Sequence, residues 1–172
     1  AICVSPERLM RRKTYDYPDR HLAAVSAWVR VRDEGDKVTM SFKQIKDRSM
    51  LGMCEALVKV SCYEDACAFL EAIGLTQKAF QESRRETWGL DECEIVIDWW
   101  PWVPPYVEVE GPSEEKVRAT SQKLGFDWSK KYHGGIETVY EYSYDIESSR
   151  ITTMEVMTFD LPVPEWMAEK KR

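Results

Sequence analysis

Polar and apolar side chains alternate through residues 28–43, Trp-Val-Arg-Val-Arg-Asp-Glu-Gly-Asp-Lys-Val-Thr-Met-Ser-Phe-Lys. In an extended strand, alternate side chains share a face. Trp28, Arg30 and Arg32 therefore point one way, and Val29 and Val31 the other. Beyond the Asp-Glu-Gly-Asp turn, Lys37, Thr39, Ser41 and Lys43 form one face, with Val38, Met40 and Phe42 opposite. The pattern predicts a β-hairpin whose cationic face is backed by an apolar one. Such a face suits either a polyanion site or the solvated outside of a sheet.

The same reading extends along the chain. Residues 7–15 and 53–60 read as strands, and Tyr17-Pro18-Asp19-Arg20 as a turn. Ser61-Cys62-Tyr63-Glu64 fits a capping box with Ser61 at the N-cap. The helix it opens should run to about Ile73, bury Ala66, Phe69, Leu70 and Ile73, and stop at Gly74 in a left-handed cap. Residues 79–88 and 94–98 read as a strand pair. Residues 99–105, Trp-Trp-Pro-Trp-Val-Pro-Pro, cannot form a central strand. They predict a rigid connection whose aromatics cap the core, with ligand stacking on Trp100 or Trp102 as the alternative. Residues 106–111 read as a strand. Ser113 then caps a second helix that carries Glu114 and Glu115 in its first turn and ends at Gly125. Strand, capped helix and glycine in 55–75 are echoed in 106–126. Residues 136–146 read as a last strand. The tail from Glu147 reads as loosely packed until Pro164-Glu165-Trp166 opens a short helix.

With 172 residues, 44% hydrophobic and 31% charged, the chain is expected to form one globular domain over residues 1–150, with a tail over 151–172. Residues 1–50 hold 11 Lys and Arg against 7 Asp and Glu, and the remainder 13 against 23. A basic first part folded onto an acidic second part could hold phosphates on one wall and cations on the other. No segment is apolar enough to span a bilayer, and no signal-peptide pattern is evident. Cys3, Cys54, Cys62, Cys67 and Cys93 are scattered, which fits reduced thiols in the cytoplasm, with Cys62 and Cys67 the pair that could depart from this. Zinc is disfavoured because His21 and His133 lack ligand spacing to them. A pI of about 5.1 and the lack of a basic tract interleaved with aromatics argue against nucleic-acid binding.

Glu108 and Glu110 have strand spacing, so both carboxylates share a face. Adjacent like charges favour a neutralising cation. Mg²⁺ or Mn²⁺, held by carboxylates and substrate phosphates, would serve, while an exposed acidic strand face is the plainer alternative. Glu94 and Asp98 alternate in the same way. Arg84 and Arg85 must face opposite sides of a strand, so only one can line a shared interior. No Gly-rich phosphate loop, dinucleotide fingerprint or nucleophile elbow occurs. His133, before Gly134-Gly135, reads as a turn residue.

The order Arg-Leu-Met-Arg-Arg-Lys-Thr-Tyr-Asp, then the 28–43 hairpin, Gln-Glu-Ser-Arg-Arg-Glu-Thr-Trp, Ile-Val-Ile-Asp and Pro-Tyr-Val-Glu-Val-Glu-Gly-Pro resembles the CYTH superfamily. These are the triphosphate tunnel metalloenzymes: class IV adenylate cyclases, thiamine triphosphatases and inorganic triphosphatases. The resemblance covers roughly residues 7–146. It implies an α+β fold, an antiparallel β-barrel of about eight strands with helices outside and a charged tunnel within. By position it implies that Arg30, Arg32, Lys43 and Arg85 bind a triphosphate and act in its reaction. Asp98 would help order the substrate site, and Glu108 and Glu110 would hold Mg²⁺ or Mn²⁺. Glu55 is a further acidic candidate. The family's N-terminal Glu-x-Glu-x-Lys strand has no match in residues 1–13, so the chain is expected to begin near the family's second strand. Its C-terminal tunnel lysine has only Lys130 and Lys131 as weak counterparts. The implied activity is metal-dependent hydrolysis of a triphosphate-containing substrate. Cyclisation of ATP to cyclic AMP and non-catalytic polyphosphate or nucleotide binding are the alternatives.

Overall fold

The computed structural model describes residues 1–47 and 52–172. Eight strands form one sheet: β1 (Ile2–Asp16), β2 (Ala27–Asp33), β3 (Val38–Ile45), β4 (Met53–Val60), β5 (Thr76–Leu90), β6 (Cys93–Trp99), β7 (Tyr106–Glu110) and β8 (Val156–Met157). Their order is β4-β3-β2-β1-β5-β6-β7, every neighbour antiparallel, while β8 adds in parallel to β5 at Phe80 and Gln81. The fold is therefore the expected antiparallel barrel type with helices outside. It is curled into a half-barrel, because among the described residues β4 and β7 end the order without pairing to each other.

The long strands account for the curl. β1 and β5 pair over nearly their whole lengths, with register shifts between Cys3 and Ser5, Ser5 and Arg8, and Thr14 and Tyr15. Such irregularities bend a strand and increase its twist. The helices among the described residues are α1 (His21–Ala24), α2 (Tyr63–Ala72), α3 (Glu114–Lys123), α4 (Ile136–Ser143), α5 (Ser148–Thr152) and α6 (Glu165–Ala168), besides a 3-10 turn at Trp128–Lys130.

Two apolar clusters hold the layers together. On the outer face, Tyr15 and Val31 pack with Ala66, Cys67 and Leu70 of α2 and with Leu75. The apolar face of the hairpin thus lies under a helix, which leaves its cationic face inward. At the other end, Trp100, Tyr140, Tyr144, Ile151, Met157 and Met167 form a second cluster. α3 lies over β6 and β7, where a Cβ at Gly111 would stand 2.7 Å from Cys93 Sγ and 3.1 Å from Val117 Cγ2. Glycine is what lets the chain turn from β7 into α3 at that distance.

Four local expectations change. The α2 N-cap is Cys62 rather than Ser61, and its thiol faces Glu64 Oε2 at 3.3 Å. Phe69 and Ile73 are 57% and 51% exposed, and Cys67 takes the buried position beside Ala66 and Leu70. Residues 136–146 are mostly helix α4, not a strand. Their Thr, Val and Tyr content favours strands, but Tyr140 is fully buried and donates to the Pro101 carbonyl at 2.7 Å, so packing decides. The tail is not loosely packed either, since Ile151, Met157 and Met167 are each at most 2% exposed.

Candidate functional site

The sheet register fixes which side chains share the inner face, because residues directly opposite each other project to the same side. Lys43 of β3 stands opposite Glu55 of β4 and Trp28 of β2. Arg30 faces Ser41, and Arg32 faces Thr39 on β3 and Arg12 on β1. Arg8 stands opposite Arg85 on β5, Arg85 opposite Asp98 on β6, and Asp98 opposite Tyr106 on β7. Glu108 and Glu110 follow Tyr106 on that face, Glu110 beside Glu94. The structure thus brings Arg30, Arg32, Lys43, Arg85, Asp98, Glu108 and Glu110 to one concave surface. Arg84 points outward to Glu7 at 3.5 Å.

Carboxylates partition these cations. Glu34, with a side chain only 3% exposed, is within 2.6 Å of Arg32, 3.4 Å of Lys37 and 3.6 Å of Arg8. Burial alone would push its carboxyl up, but Arg32 and Lys37 hold it below the ordinary range. Glu55 lies 3.6 Å from Arg30 and 3.2 Å from Lys43. Asp98, 1% exposed, accepts from Arg85 Nε at 2.7 Å and Nη2 at 2.5 Å. Glu108 accepts from the same guanidinium at 3.3 Å. Burial works against the Arg85 charge, yet Asp98 and then Glu108 raise its pKa overall.

The cationic wall is crowded all the same. Burial and then Arg32 bring the Arg30 guanidinium down to about 10. Burial and then Arg30 lower the Lys43 ammonium. Arg30 Nε and Ser41 Oγ are buried with no hydrogen-bond partner among the described residues. Like charges and unmet donors facing one surface create a strong field for an anion.

The acidic wall is thinner. Burial, then Asp98 and Glu110, push the Glu108 carboxyl up against the opposing pull of Arg85. Glu110 is exposed. Among the described residues, no group of three or more His, Cys, Asp or Glu side chains is gathered to hold a metal ion. The donor set is two carboxylates, which could hold a hard divalent cation only if it takes its remaining ligands from water or a bound ligand.

Other expectations fall outside the site. Lys130 pairs with Asp127 at 4.0 Å, and Lys131 lies over the Trp128 ring at 4.9 Å. Both are exposed, as is His133. Trp102 donates to the Leu161 carbonyl at 2.9 Å, whereas Trp100, a member of the second cluster, lies against the Arg12 guanidinium of the inner face at 4.5 Å. Three inner-face residues escaped the sequence reading: Arg8, Arg12 and Glu34. Extending the alternation through Arg8-x-Met10-x-Arg12-x-Thr14 would have placed both arginines on one face. Glu34 carried no such signal, because it sits in the turn between β2 and β3.

The CYTH domain family matches residues 15–138 of the chain. No curated protein matches it. Among solved structures, a putative adenylate cyclase from Vibrio parahaemolyticus superposes with a TM-score of 0.68 at 14% identity, covering 81% of this chain and 84% of that one. A conserved hypothetical protein from Pyrococcus furiosus gives 0.60 at 17% identity, covering 74% and 79%. A putative adenylyl cyclase from Hippeastrum, described as having a dominant triphosphatase activity, gives 0.51 at 14% identity, covering 69% and 72%. At these identities the likeness is one of fold.

Proposed function

The chain belongs to the CYTH family, and from that premise we propose that it hydrolyses a triphosphate-containing substrate with the help of Mg²⁺ or Mn²⁺. The observation that carries the reading is the gathering of Arg30, Arg32, Lys43 and Arg85 on the concave face, next to Asp98, Glu108 and Glu110. Arg30, Arg32 and Lys43 bind phosphate oxygens and lower the repulsion met by an attacking water. Arg85, oriented by two hydrogen bonds to Asp98, stabilises the charge that grows on the leaving oxygen. Water adds to the terminal phosphorus and passes a proton to a phosphate oxygen or to solvent, the bridging P–O bond breaks, and its electron pair leaves on the shortened phosphate chain. Positioning and electrostatics are most of what this reaction needs, so a nucleophilic side chain is not required. Glu108 and Glu110 would hold the divalent cation, which supplies charge neutralisation and orients the phosphate. The five free thiols are consistent with a reducing, cytoplasmic setting.

The test is orthophosphate release from tripolyphosphate and nucleoside triphosphates, with and without Mg²⁺ or Mn²⁺, with cyclic AMP measured alongside. Metal-dependent release is expected, and Glu110→Gln should lower it by about a hundredfold or more. Because Glu110 is exposed, this variant should keep its fold. Cyclic AMP as the main product from ATP would overturn the hydrolase reading in favour of a cyclase. Tight binding without turnover would overturn it in favour of a binding module.

A further inference from the structure

We propose that Arg12 is a further phosphate-contacting residue, gripping the middle of a polyphosphate chain that crosses strands β3, β2, β1 and β5. The inference rests on the triphosphate reading of the same face. It is carried by how Arg12 is housed. Arg12 is 7% exposed, yet among the described residues no carboxylate lies within ion-pair reach of it. By contrast, Arg8 and Arg32 share Glu34, Arg30 and Lys43 share Glu55, and Arg85 has Asp98 and Glu108. Arg12 instead bonds the Ser83 hydroxyl through Nη2 and lies over the Trp100 ring, 4.5 Å from its centroid. These contacts hold a guanidinium flat without neutralising it.

Among the described residues its buried Nε has no partner, and neither has Nε1 of Trp100 beneath it. A buried charge and two unmet donors are costly unless a ligand meets them. The surroundings add to the cost. Burial first, then Arg30, Arg32 and Arg85, bring the Arg12 guanidinium down to about 9, and Asp98, beyond ion-pair reach, offsets this only in part. The missing counter-charge is therefore anionic and comes from outside the chain.

The place of β1 in the sheet gives the ligand its class. β1 lies between β2, which carries Arg30 and Arg32, and β5, which carries Arg85. The register staggers these side chains, with Arg12 opposite Arg32 and Arg85 opposite Arg8 four residues farther along β1, so the lane from Lys43 to Arg85 runs obliquely across four strands. A single phosphate touches one part of such a lane, whereas a linear chain of phosphates can use it end to end. Arg12 closes what would otherwise be a gap between the two cationic groups.

The experiment is calorimetric titration of the full chain with tripolyphosphate and with orthophosphate, without metal, on wild type, Arg12→Gln and Arg12→Lys. Thermal unfolding of the ligand-free proteins is measured alongside. Arg12→Gln should weaken tripolyphosphate binding about tenfold or more, as for a lost hydrogen bond to a charged group, with a smaller effect on orthophosphate. Arg12→Lys should recover part of the loss. The ligand-free Tm of Arg12→Gln should equal or exceed that of wild type, since an uncompensated buried charge has been removed. Unchanged tripolyphosphate affinity overturns the inference. So does an affinity loss accompanied by a lower ligand-free Tm, which marks Arg12 as structural. Wild type that binds through Arg12 but does not hydrolyse supports this inference and refutes the hydrolase reading. Hydrolysis unaffected by Arg12→Gln does the reverse, and a wild type that binds no tripolyphosphate refutes both.

Discussion

Glu34 shows how much one side chain can organise. Its carboxylate, almost free of solvent, takes ion pairs from the largely buried Arg8 and Arg32 and from the more exposed Lys37. Removing one member of a buried ion-pair group strands the others, at about 3 kcal/mol or more. Glu34→Gln should therefore lower unfolding free energy by about 3 kcal/mol in denaturant titrations. The pH dependence has a definite sign. The folded-state pKa of Glu34 is depressed, so its contribution is complete above the ordinary carboxylate range and fades as pH falls through the lower folded value. Wild type should lose stability on acidification below about pH 4, and Glu34→Gln should lose less over that interval. Residue identity revealed the hairpin arginines, because alternation is local. It could not reveal Glu34, because nothing in Asp33-Glu34-Gly35 says that the turn folds its carboxylate back toward arginines on two strands.

Elements divide into those with their own signals and those settled by neighbours. α3 starts where Ser113, Glu114 and Glu115 predict, with the Ser113 hydroxyl accepting from the Lys116 amide at 3.3 Å. α2 starts one residue later than its capping box predicts, at a cysteine whose side chain caps no backbone amide. The two serines should differ accordingly. Ser113→Ala is expected to cost about 1 kcal/mol in thermal or denaturant unfolding, and Ser61→Ala much less. Equal costs would mean that the Ser113 bond contributes nothing to the start of α3. Gly74 at φ 97° and Gly125 at φ 85° end their helices as the sequence predicts. α4 was illegible for the opposite reason. Its β-favouring residues are overridden by Tyr140, whose burial and bond to Pro101 exist only once the proline-rich connection is in place. Likewise, isolated Ile151, Met157 and Met167 lie too far apart in sequence to form a pattern, yet they meet in one cluster.

At the scale of the whole molecule, strand order decides what the two walls can do. The cations occupy β3, β2, β1 and β5, whereas Asp98, Glu108 and Glu110 occupy β6 and β7. An alternating pattern gives the face of each strand but not which distant strands become edges, so the half-barrel was beyond it. With the cationic wall crowded and the acidic wall thin, each side lacks something that a metal-bound polyphosphate would supply under the proposed function. Arg85 already engages Glu108, and Glu110 stands exposed, so metal alone meets few free donors. On the proposed function, polyphosphate would bring oxygen ligands and draw the cation and the cationic lane into one assembly. Binding of the two should therefore be coupled, and coupling in binding is reciprocal. Calorimetry should show Mg²⁺ binding weakly by itself and about tenfold more tightly to the protein saturated with tripolyphosphate than free tripolyphosphate in buffer accounts for. Tripolyphosphate at a hundred times its Kd should in turn stabilise the fold by about 2.7 kcal/mol. In Glu110→Gln that stabilisation should persist while the Mg²⁺ enhancement disappears, since the proposed function gives the anion to the arginines and lysine and the metal to the carboxylates. If the enhancement survives in Glu110→Gln, the division of labour between the walls is wrong, even if the protein binds polyphosphate well.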